Sequence, residues 1–378
     1  MCNLHQPAPA LLGSTLLANE ERLDMLRPSF LSSGLDTLDR EALDGGFRYG
    51  EITAVAGASG TGKTLLVFQA IASHLIASEE GEVALIATSE PPLARLRDIL
   101  LRRLDQQKRE PEFCQSGYVY QKQVRTGGPP QDVQSQMTSM LERIRLSRVF
   151  DFPGVAEAIG EFGARLDEDE KTRRNRVDGK SFEKARGTAE GEERAENSLS
   201  VEEDNNTITR TTAANPEAAE YLPASMIVID NIANVVGSMM TKSQAHGHAM
   251  LASCMRSLQH LTRRRNVCTV LVNAAAGLRQ QNTQYHRRAD DQASVFSSTL
   301  GKPALGKHFS YLIDTSVFLS TLPRSKEDAD VAYNVAPVAS GFTKVGVVEI
   351  LKDRHGSREG RWSSFVTAAG IELQSISS

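Results

Sequence analysis

Eight consecutive residues early in the chain have the types and spacing needed to hold phosphate groups. They match the pattern G-x-x-x-x-G-K-[ST] in full and are Gly57, Ala58, Ser59, Gly60, Thr61, Gly62, Lys63 and Thr64. Glycines let such a loop turn its backbone N–H groups inward, and a following helix adds the positive end of its dipole. Lys63 would lie against the β and γ phosphates of a nucleotide, and the Thr64 hydroxyl would ligate Mg²⁺. The residues therefore predict a nucleotide-phosphate site.

The segments on both sides of this loop favour that interpretation over the alternative, a glycine-rich turn with a surface lysine. Residues 51–56 are apolar and β-branched, which is typical of a buried parallel strand, and residues 65–75 predict a helix. A strand, a glycine-rich loop and a helix in this order are the context that a phosphate-binding loop requires.

Two carboxylates follow predicted strands and could take part in the same chemistry. Asp230 ends an apolar run, where a carboxylate reaches a Mg²⁺ ion beside Thr64, usually through water, although many strands end in aspartate. Glu90 follows the strand 82–88, and it is our candidate for the general base that polarises the attacking water. The alternative for Glu90 is an ordinary acid near the N-terminus of the next helix, where the helix dipole favours it.

Asn273 ends another predicted strand, where its amide could sense the γ-phosphate or could form a turn. The polar and basic segment 278–288, which includes one tyrosine, follows it. Such a segment suits a loop that meets phosphates and stacks on a base, and it equally suits a plain solvated loop.

Composition excludes several classes of protein. The chain has 378 residues, of which 40% are hydrophobic and 24% charged, and these values are typical of a globular soluble protein. Its net charge of -4 argues against a nucleic-acid coat over the whole surface. The four cysteines lack zinc-ligand or disulfide-framework spacing, and no stretch resembles a secretion signal or a membrane span.

The alternation of strand and helix patterns predicts an α/β fold with a mostly parallel central sheet flanked by helices. Residues 345–351 and 362–367 are predicted to add an antiparallel hairpin at the C-terminus. We expect an N-terminal segment, 1–31, with a short docking helix at 16–26, and a core at 32–378.

An insertion at about 165–215 interrupts the predicted core. It is dense in charged and polar residues with almost no apolar periodicity, so we predict that it is disordered. It could be a tolerated surface loop, a partner tail or a modification site, and 171–176 could act as a nuclear-import signal.

The order of the motifs resembles that of the RecA-like recombinases of eukaryotes and archaea. The residues that carry the resemblance are Gly34-x-x-x-Leu38-Asp39, Gly45-Gly46, Gly50-Glu51-Ile52-Thr53, the loop 57–64, Ala87-Thr-Ser-Glu90, Ile-Val-Ile-Asp230 and Val-Leu-Val-Asn273. The ending, Pro303-Ala-Leu-Gly306 followed by 351–362, looks most like the recombinase paralogues that act as mediators, especially fungal ones.

This resemblance implies a RecA-like P-loop ATPase core that uses ATP and Mg²⁺. It implies phosphate binding by 57–64, Mg²⁺ coordination by Thr64 with Asp230, and water activation by Glu90, with Lys63 as a second catalytic residue. It further implies that the loops after Asp230 and Asn273 face DNA, and that 353–359 resembles the cap over a neighbour's ATP. The implied partners are other paralogue subunits, the main recombinase and single-stranded DNA, with no membrane, in the nucleus.

Three departures from the family favour an accessory paralogue over a strand-exchange enzyme. The residues before position 32 are too few for the family's N-terminal helical domain. Asn273-Ala274 stands where the family has Asn-Gln, and the first candidate DNA loop, 232–245, has Lys242 as its single basic residue. We therefore expect an ATP-binding mediator of homologous recombination and DNA double-strand break repair, which helps the main recombinase assemble on single-stranded DNA. The alternatives are an autonomous DNA-dependent ATPase that exchanges strands, and a scaffold whose nucleotide only stabilises the fold.

Overall fold

The computed structural model describes residues 12–15, 17, 29–109, 132–189, 224–277, 294–296, 299, 301–323, 344–368 and 370–376. The chain divides into two compact units, of which the larger comprises residues 1–158 and 222–378 and the second residues 159–221. Most of the predicted docking helix at 16–26 and the whole of segment 278–288 lie outside the described residues.

A ten-stranded sheet forms the centre of the larger unit, in the order β12-β11-β10-β9-β3-β7-β6-β4-β5, with β8 paired to β7. The six strands from β9 to β5 along this path run parallel, whereas β10, β11 and β12 are antiparallel. The strands of this sheet are β3 (Ile52–Gly57), β4 (Val83–Ala87), β5 (Ile144–Arg148), β6 (Met226–Asp230), β7 (Cys268–Gly277), β8 (Gly301–Pro303), β9 (Thr315–Pro323), β10 (Lys344–Asp353), β11 (Trp362–Ala368) and β12 (Glu372–Ser375). A separate pair is formed by β1 (Phe30–Leu31) and β2 (Phe47–Arg48). The predicted α/β architecture with a C-terminal antiparallel hairpin is confirmed.

The described ranges contain helical residues at 13–15 and 17, one short π-helix, Leu38–Leu43, and seven further α-helices. The α-helices are α1 (Lys63–Ala77), α2 (Leu93–Arg109), α3 (Val133–Glu142), α4 (Phe152–Ala189), α5 (Ile232–Lys242), α6 (Gln244–Arg265) and α7 (Gly306–Ser310). Among these described helices, none combines the length and the apolar character needed to cross a bilayer.

The lead-in to β3 is fixed by a buried carboxylate. Asp39, in the π-helix, accepts hydrogen bonds from the Ser32 hydroxyl at 2.7 Å and from the Ser33 N–H at 3.0 Å. Burial raises the pKa of Asp39 to about 6, and the hydrogen bonds from the two serines oppose that shift. The segment 34–39 therefore has a structural role, because it lies in the turn that lets β1 pair with β2 before the phosphate loop.

The last strand is joined to the helix that follows the phosphate loop. Gln69 of α1 is fully buried; its Nε2 donates to the Leu373 carbonyl at 3.0 Å, and its Oε1 accepts from the Leu373 N–H at 3.1 Å. Beside it, Arg103 of α2 forms an ion pair with Glu372 at 3.3 Å. The C-terminal strand thus supports the helix whose first residues carry the phosphate-site chemistry.

Replacing Gln69 by alanine is expected to lower the free energy of unfolding by about 2–4 kcal/mol, because two buried backbone groups of Leu373 lose their partners. Urea unfolding followed by circular dichroism would measure this change. The matched control is Gln107→Ala, which removes the same side chain from an exposed position on α2. Equal unfolding midpoints for the two variants would contradict the assignment.

The structure differs from the predicted disordered insertion. Helix α4 continues to Ala189, well past residue 165 where the apolar periodicity stops, and residues 190–223 lie outside the described part. A helix needs an apolar stripe only where it packs on a core, and the Glu, Lys, Arg and Ala residues of this stretch have high intrinsic helix propensity. Absence of periodicity was therefore the wrong criterion for the first half of this segment.

Two element boundaries also differ from the sequence pattern. Helix α3 ends at Glu142 although the amphipathic pattern runs from residue 133 to residue 146, because residues 144–148 pair with β4 as a parallel edge strand. Helix α4 then begins near the Asp151 carboxylate, which accepts the Gly154 N–H at 3.0 Å. The strand-like composition runs from residue 310 to residue 319, whereas β9 starts at Thr315 and α7 includes Ser310.

Candidate nucleotide-phosphate site

The phosphate loop lies between a buried strand and a helix, as the sequence predicts. All six residues of β3 are buried between β7 and β9, and α1 begins at Lys63. Gly60 and Gly62 have φ values of 79° and 96°, which glycine adopts at little cost and other residues do not. A Cβ at Gly57 would lie 2.6 Å from the Leu319 carbonyl oxygen, so that position also admits only glycine.

Lys63 is held over this loop by the loop's own backbone. Its ammonium donates to the carbonyl of Gly57 at 2.9 Å and to that of Ala58 at 2.6 Å. Burial lowers the pKa of Lys63, and the nearby carboxylate of Asp230 opposes that shift. A partly desolvated ammonium at the N-terminus of a helix is placed to attract phosphate oxygens, because both the charge and the helix dipole favour an anion there.

Thr64 and Asp230 come together although 166 residues separate them. The Thr64 hydroxyl donates to the Asp230 carboxylate at 3.1 Å. Burial raises the pKa of Asp230, while the hydrogen bond from Thr64 and the charge of Lys63 lower it. A desolvated carboxylate beside a hydroxyl is an oxygen donor set that suits a hard divalent cation, which would also relieve the cost of burying the charge.

These residues fit ATP with Mg²⁺. Thr64 and Asp230 would supply two oxygens to the ion and leave its other positions to phosphate and water. Among the described residues, no three His, Cys, Asp or Glu side chains are grouped in a way that could bind a metal. Thr61, whose hydroxyl donates to the Ala58 carbonyl at 2.9 Å, stiffens the exposed tip formed by Ala58, Ser59 and Gly60.

Thr88 is a positioning residue to which the sequence pattern gave no role. Its N–H donates to the Asp230 carbonyl at 2.8 Å, and its hydroxyl accepts from the Asn231 N–H at 3.1 Å and from the Asn234 side chain at 3.0 Å. It therefore fixes the end of β4 to the end of β6 and to the start of α5. A threonine directly after an apolar strand is the available signal, although many strands end in this way.

Glu90 lies on the correct sheet edge but makes no contact with the other site residues. It is exposed and follows β4, the strand that neighbours β6, with Ala87 opposite Asp230 in the register. Within the described ranges, no hydrogen bond or ion pair joins its carboxylate to Lys63, Thr64 or Asp230. The structure therefore places Glu90 after the carboxyl end of β4, on the same sheet edge as Asp230, and its role as the water-activating base stays a prediction.

Asn273 differs from its predicted environment. Strand β7 continues beyond it to Gly277, and its fully buried side chain donates to the Ala304 carbonyl at 2.9 Å. Its Oδ1 accepts the Ala274 N–H at 2.9 Å. The amide thus holds the segment after β8 against β7, beside β3, rather than projecting from a strand end.

The first candidate DNA loop is not a loop. Residues 232–242 form α5, which begins with the Asn231 side chain accepting the Ala233 N–H at 2.9 Å. Ile232, Val235 and Val236 lie on one face of this helix and are buried. The expectation of an open loop after Asp230 was wrong for these residues, because the i, i+3, i+4 apolar spacing is that of an amphipathic helix.

The turn after β10, predicted to resemble a cap over a neighbour's nucleotide, is built on an intrachain ion pair. Arg358, 3% exposed, donates to both oxygens of Asp353, at 2.7 and 2.8 Å. It also donates to the Leu43 carbonyl at 2.9 Å and to the Thr315 hydroxyl at 3.1 Å. Hydrogen bonds from Arg358 lower the pKa of Asp353 to about 2. Both carboxylate oxygens of Asp353 are therefore bonded to an arginine of the same chain.

Comparison with solved structures finds similarity to a crystal structure of the RadB recombinase. The TM-score is 0.49 at 15% sequence identity, over 92% of this chain and 100% of that chain. No family model and no curated protein matches the sequence. The functional proposal therefore depends on the residues of the site.

Proposed function

We propose that this chain binds ATP with Mg²⁺ at the loop 57–64. The observation that carries the proposal is the 3.1 Å contact between the Thr64 hydroxyl and the Asp230 carboxylate, directly beside the Lys63 ammonium. The two residues are 166 positions apart in the chain, and the fold brings them together at the start of α1 and the end of β6. Bound ATP would supply the phosphoryl group. Its phosphate oxygens, together with water, would complete the coordination of a Mg²⁺ ion held by Thr64 and Asp230.

Each residue of this site has a separate task in that proposal. Backbone N–H groups of the loop and of the first turn of α1 bind phosphate oxygens, and Lys63 neutralises their charge. Thr64 and Asp230 hold the cation, and Thr88 keeps Asp230 in place. Glu90 orients or deprotonates the attacking water.

We further propose that the chain is a RecA-like recombination mediator that acts with other paralogue subunits in the nucleus. The support is the motif order from Gly34 to Asn273, together with the side chain of Asn273, which bonds to Ala304. An amide engaged in that way is poorly placed to relay nucleotide state to a DNA loop. An accessory role, in which ATP binding organises a complex, fits this arrangement better than autonomous strand exchange.

Assembly of the main recombinase on single-stranded DNA, measured with and without this chain and ATP, tests the mediator proposal. We expect faster or more persistent assembly in the presence of the chain, and weak ATP turnover by the isolated chain. Long self-filaments with strongly DNA-stimulated turnover would reject the mediator in favour of the autonomous ATPase. Location of the tagged chain outside the nucleus would contradict the nuclear proposal.

The same assays with Glu90→Gln separate binding from turnover. If Glu90 activates water, its loss is expected to lower ATP turnover about 100-fold or more while ATP affinity stays unchanged. The matched control is Glu157→Gln, which removes an exposed carboxylate on α4. Turnover by Glu90→Gln equal to that of the control would reject Glu90 as the base.

A further inference from the structure

The second half of α6 presents basic side chains along one face. Arg256, Gln259, His260, Arg263 and Arg264 line a groove of about 510 Å³. Their spacing of three, four, seven and eight residues places them on the same side of a helix. Arg256 and Arg263 are about 10.5 Å apart along the helix axis, a distance that spans about three successive phosphates of a nucleic-acid strand.

Two neighbouring segments are fixed against this face. The Gln259 side chain donates to the Leu312 carbonyl at 2.9 Å, which holds the turn before β9. Arg263 of α6 and Arg354, from the turn after β10, both donate to Asp314, at 3.3 and 3.0 Å. These bonds hold the turn before β9 and the turn after β10 next to this part of α6.

Within the described part of this cluster, positive charge exceeds negative charge. Arg263, Arg354 and His355 share one ion-pair partner, Asp314, whose side chain is 1% exposed and which also accepts the Ile52 N–H at 2.9 Å. The single carboxylate balances one of the two arginines Arg263 and Arg354, so this described cluster keeps a positive charge although the whole chain has a net charge of -4. This surplus is a local basic footprint of the kind that nucleic-acid binding needs.

Stabilisation of the helix end explains only part of this pattern. Basic residues in the last turn of α6 interact favourably with the helix dipole, and Arg263 and Arg264 have that role. The dipole effect falls off within the last turn. Arg256 and His260 lie before that turn, and both are exposed.

An aromatic residue, Tyr311, directly precedes Leu312, whose carbonyl is bonded to the groove residue Gln259. Tyr311 is 59% exposed, and its carbonyl accepts a hydrogen bond from Arg354. Its neighbour Leu312 is the residue held by Gln259, so the backbone of Tyr311 is fixed on both sides. Proteins that bind single strands combine a positive groove with aromatic rings on which bases stack.

The groove is remote from the nucleotide site. Helix α6 leads into the start of β7, and Asp314 bonds to the first residue of β3, so the groove lies at the amino ends of these strands. The phosphate loop follows the carboxyl end of β3. A ligand in the groove would therefore occupy the opposite edge of the sheet.

We propose that this groove binds single-stranded nucleic acid, with its cations on the phosphates and Tyr311 stacked on a base. The site is distinct from the loops after Asp230 and Asn273 to which the family resemblance assigns DNA binding. It does not depend on the proposed ATP function, because its residues contact none of the phosphate-site residues.

Fluorescence anisotropy of a labelled 20-residue oligodeoxythymidylate with the full chain, without ATP, tests the proposal. The double variant Arg256→Ala/His260→Ala is expected to bind more weakly, and the slope of log K against log salt should fall by about 0.7 for each cation lost. Tyr311→Ala is expected to lose about fivefold or more in affinity, and Tyr311→Phe should restore it because the ring is kept. An oligouridylate of equal length distinguishes DNA from RNA as the ligand.

The matched control is Arg97→Ala on α2, which removes an exposed cation from another helix and should leave oligonucleotide binding unchanged. Lys63→Ala should also bind the oligonucleotide as the unsubstituted chain does, so failure of the ATP proposal and failure of this one give different results. Groove variants that bind like the Arg97 variant while melting at the original temperature would overturn the proposal. Equal affinity for an oligoglutamate peptide would also overturn the proposal. The groove would then bind any negatively charged chain, whether or not it has bases that can stack on Tyr311.

Discussion

Replacing Lys63 by alanine is expected to lower the affinity of this chain for ATP by about 100-fold. The reason is that the phosphate groups of ATP lose the desolvated ammonium that would pair with them. The ammonium donates hydrogen bonds to the carbonyls of Gly57 and Ala58 at 2.9 and 2.6 Å, so its position is defined before a phosphate binds. Isothermal titration calorimetry with a non-hydrolysable ATP analogue and Mg²⁺ measures the change without interference from turnover.

The control for this experiment is Lys171→Ala, which removes an exposed ammonium from α4. Lys63→Arg keeps the charge but changes its shape, since a planar guanidinium replaces a compact ammonium, and we expect intermediate affinity. Unchanged affinity of Lys63→Ala would reject the loop as the ATP site. If the alanine variant loses ATP but still binds its partner subunits and supports repair, the scaffold alternative is favoured over an ATP-dependent mediator.

Replacing Arg358 by alanine is expected to destabilise the fold by about 3–5 kcal/mol, because a buried carboxylate loses its counter-ion. Asp353 then lacks both of its guanidinium hydrogen bonds, and the Leu43 carbonyl and Thr315 hydroxyl lose theirs. A loss of this size corresponds to a fall in melting temperature of about 10 °C for a domain of this size. Thermal unfolding followed by circular dichroism measures it.

Arg361→Ala is the matched control, since it removes an exposed arginine three residues away and is expected to change stability by less than about 0.5 kcal/mol. The effect of pH gives a second test. The pKa of Asp353 lies at about 2, below its ordinary value of 3.8, so the carboxylate stabilises the fold above that ordinary value and ceases to do so as the pH falls towards 2. The difference between the original chain and Arg358→Ala should therefore shrink over that range, and a constant difference would contradict the ion-pair assignment.

The sequence by itself was sufficient to identify the candidate phosphate loop 57–64 and the α/β architecture that positions it. Gly60 and Gly62 have positive φ values that other residues adopt only at a cost, and this requirement is local, whereas the need for glycine at position 57 comes from the Leu319 carbonyl, which is distant in the sequence. The meeting of Thr64 with Asp230 was also predictable, because the carboxyl ends of parallel strands lie at one edge of a sheet. Short apolar runs also predicted most of the strands and their mostly parallel arrangement, whereas the order of the strands across the sheet is seen only in the structure.

Helix α5 stands where the family resemblance predicted a loop, although the local sequence pattern already favoured a helix. The family resemblance favoured a DNA-facing loop, whereas the apolar spacing of Ile232, Val235 and Val236 already indicated an amphipathic helix. The first half of the charged insertion, residues 165–189, is helical without a local pattern that predicted it. Its residues favour a helix by propensity, but they form no apolar stripe and therefore no periodic pattern.

Only the tertiary structure decided the partners of the polar side chains far from the loop. Asn273 bonds to Ala304, 31 residues away, and Arg358 bonds to Leu43, 315 residues away. Their side-chain types were visible in the sequence, but a polar group has several acceptable partners, and burial together with chain packing selects one of them. The basic groove has the same origin, because α6, the turn at Tyr311 and the arginine at 354 become neighbours through Asp314 only when the sheet has formed.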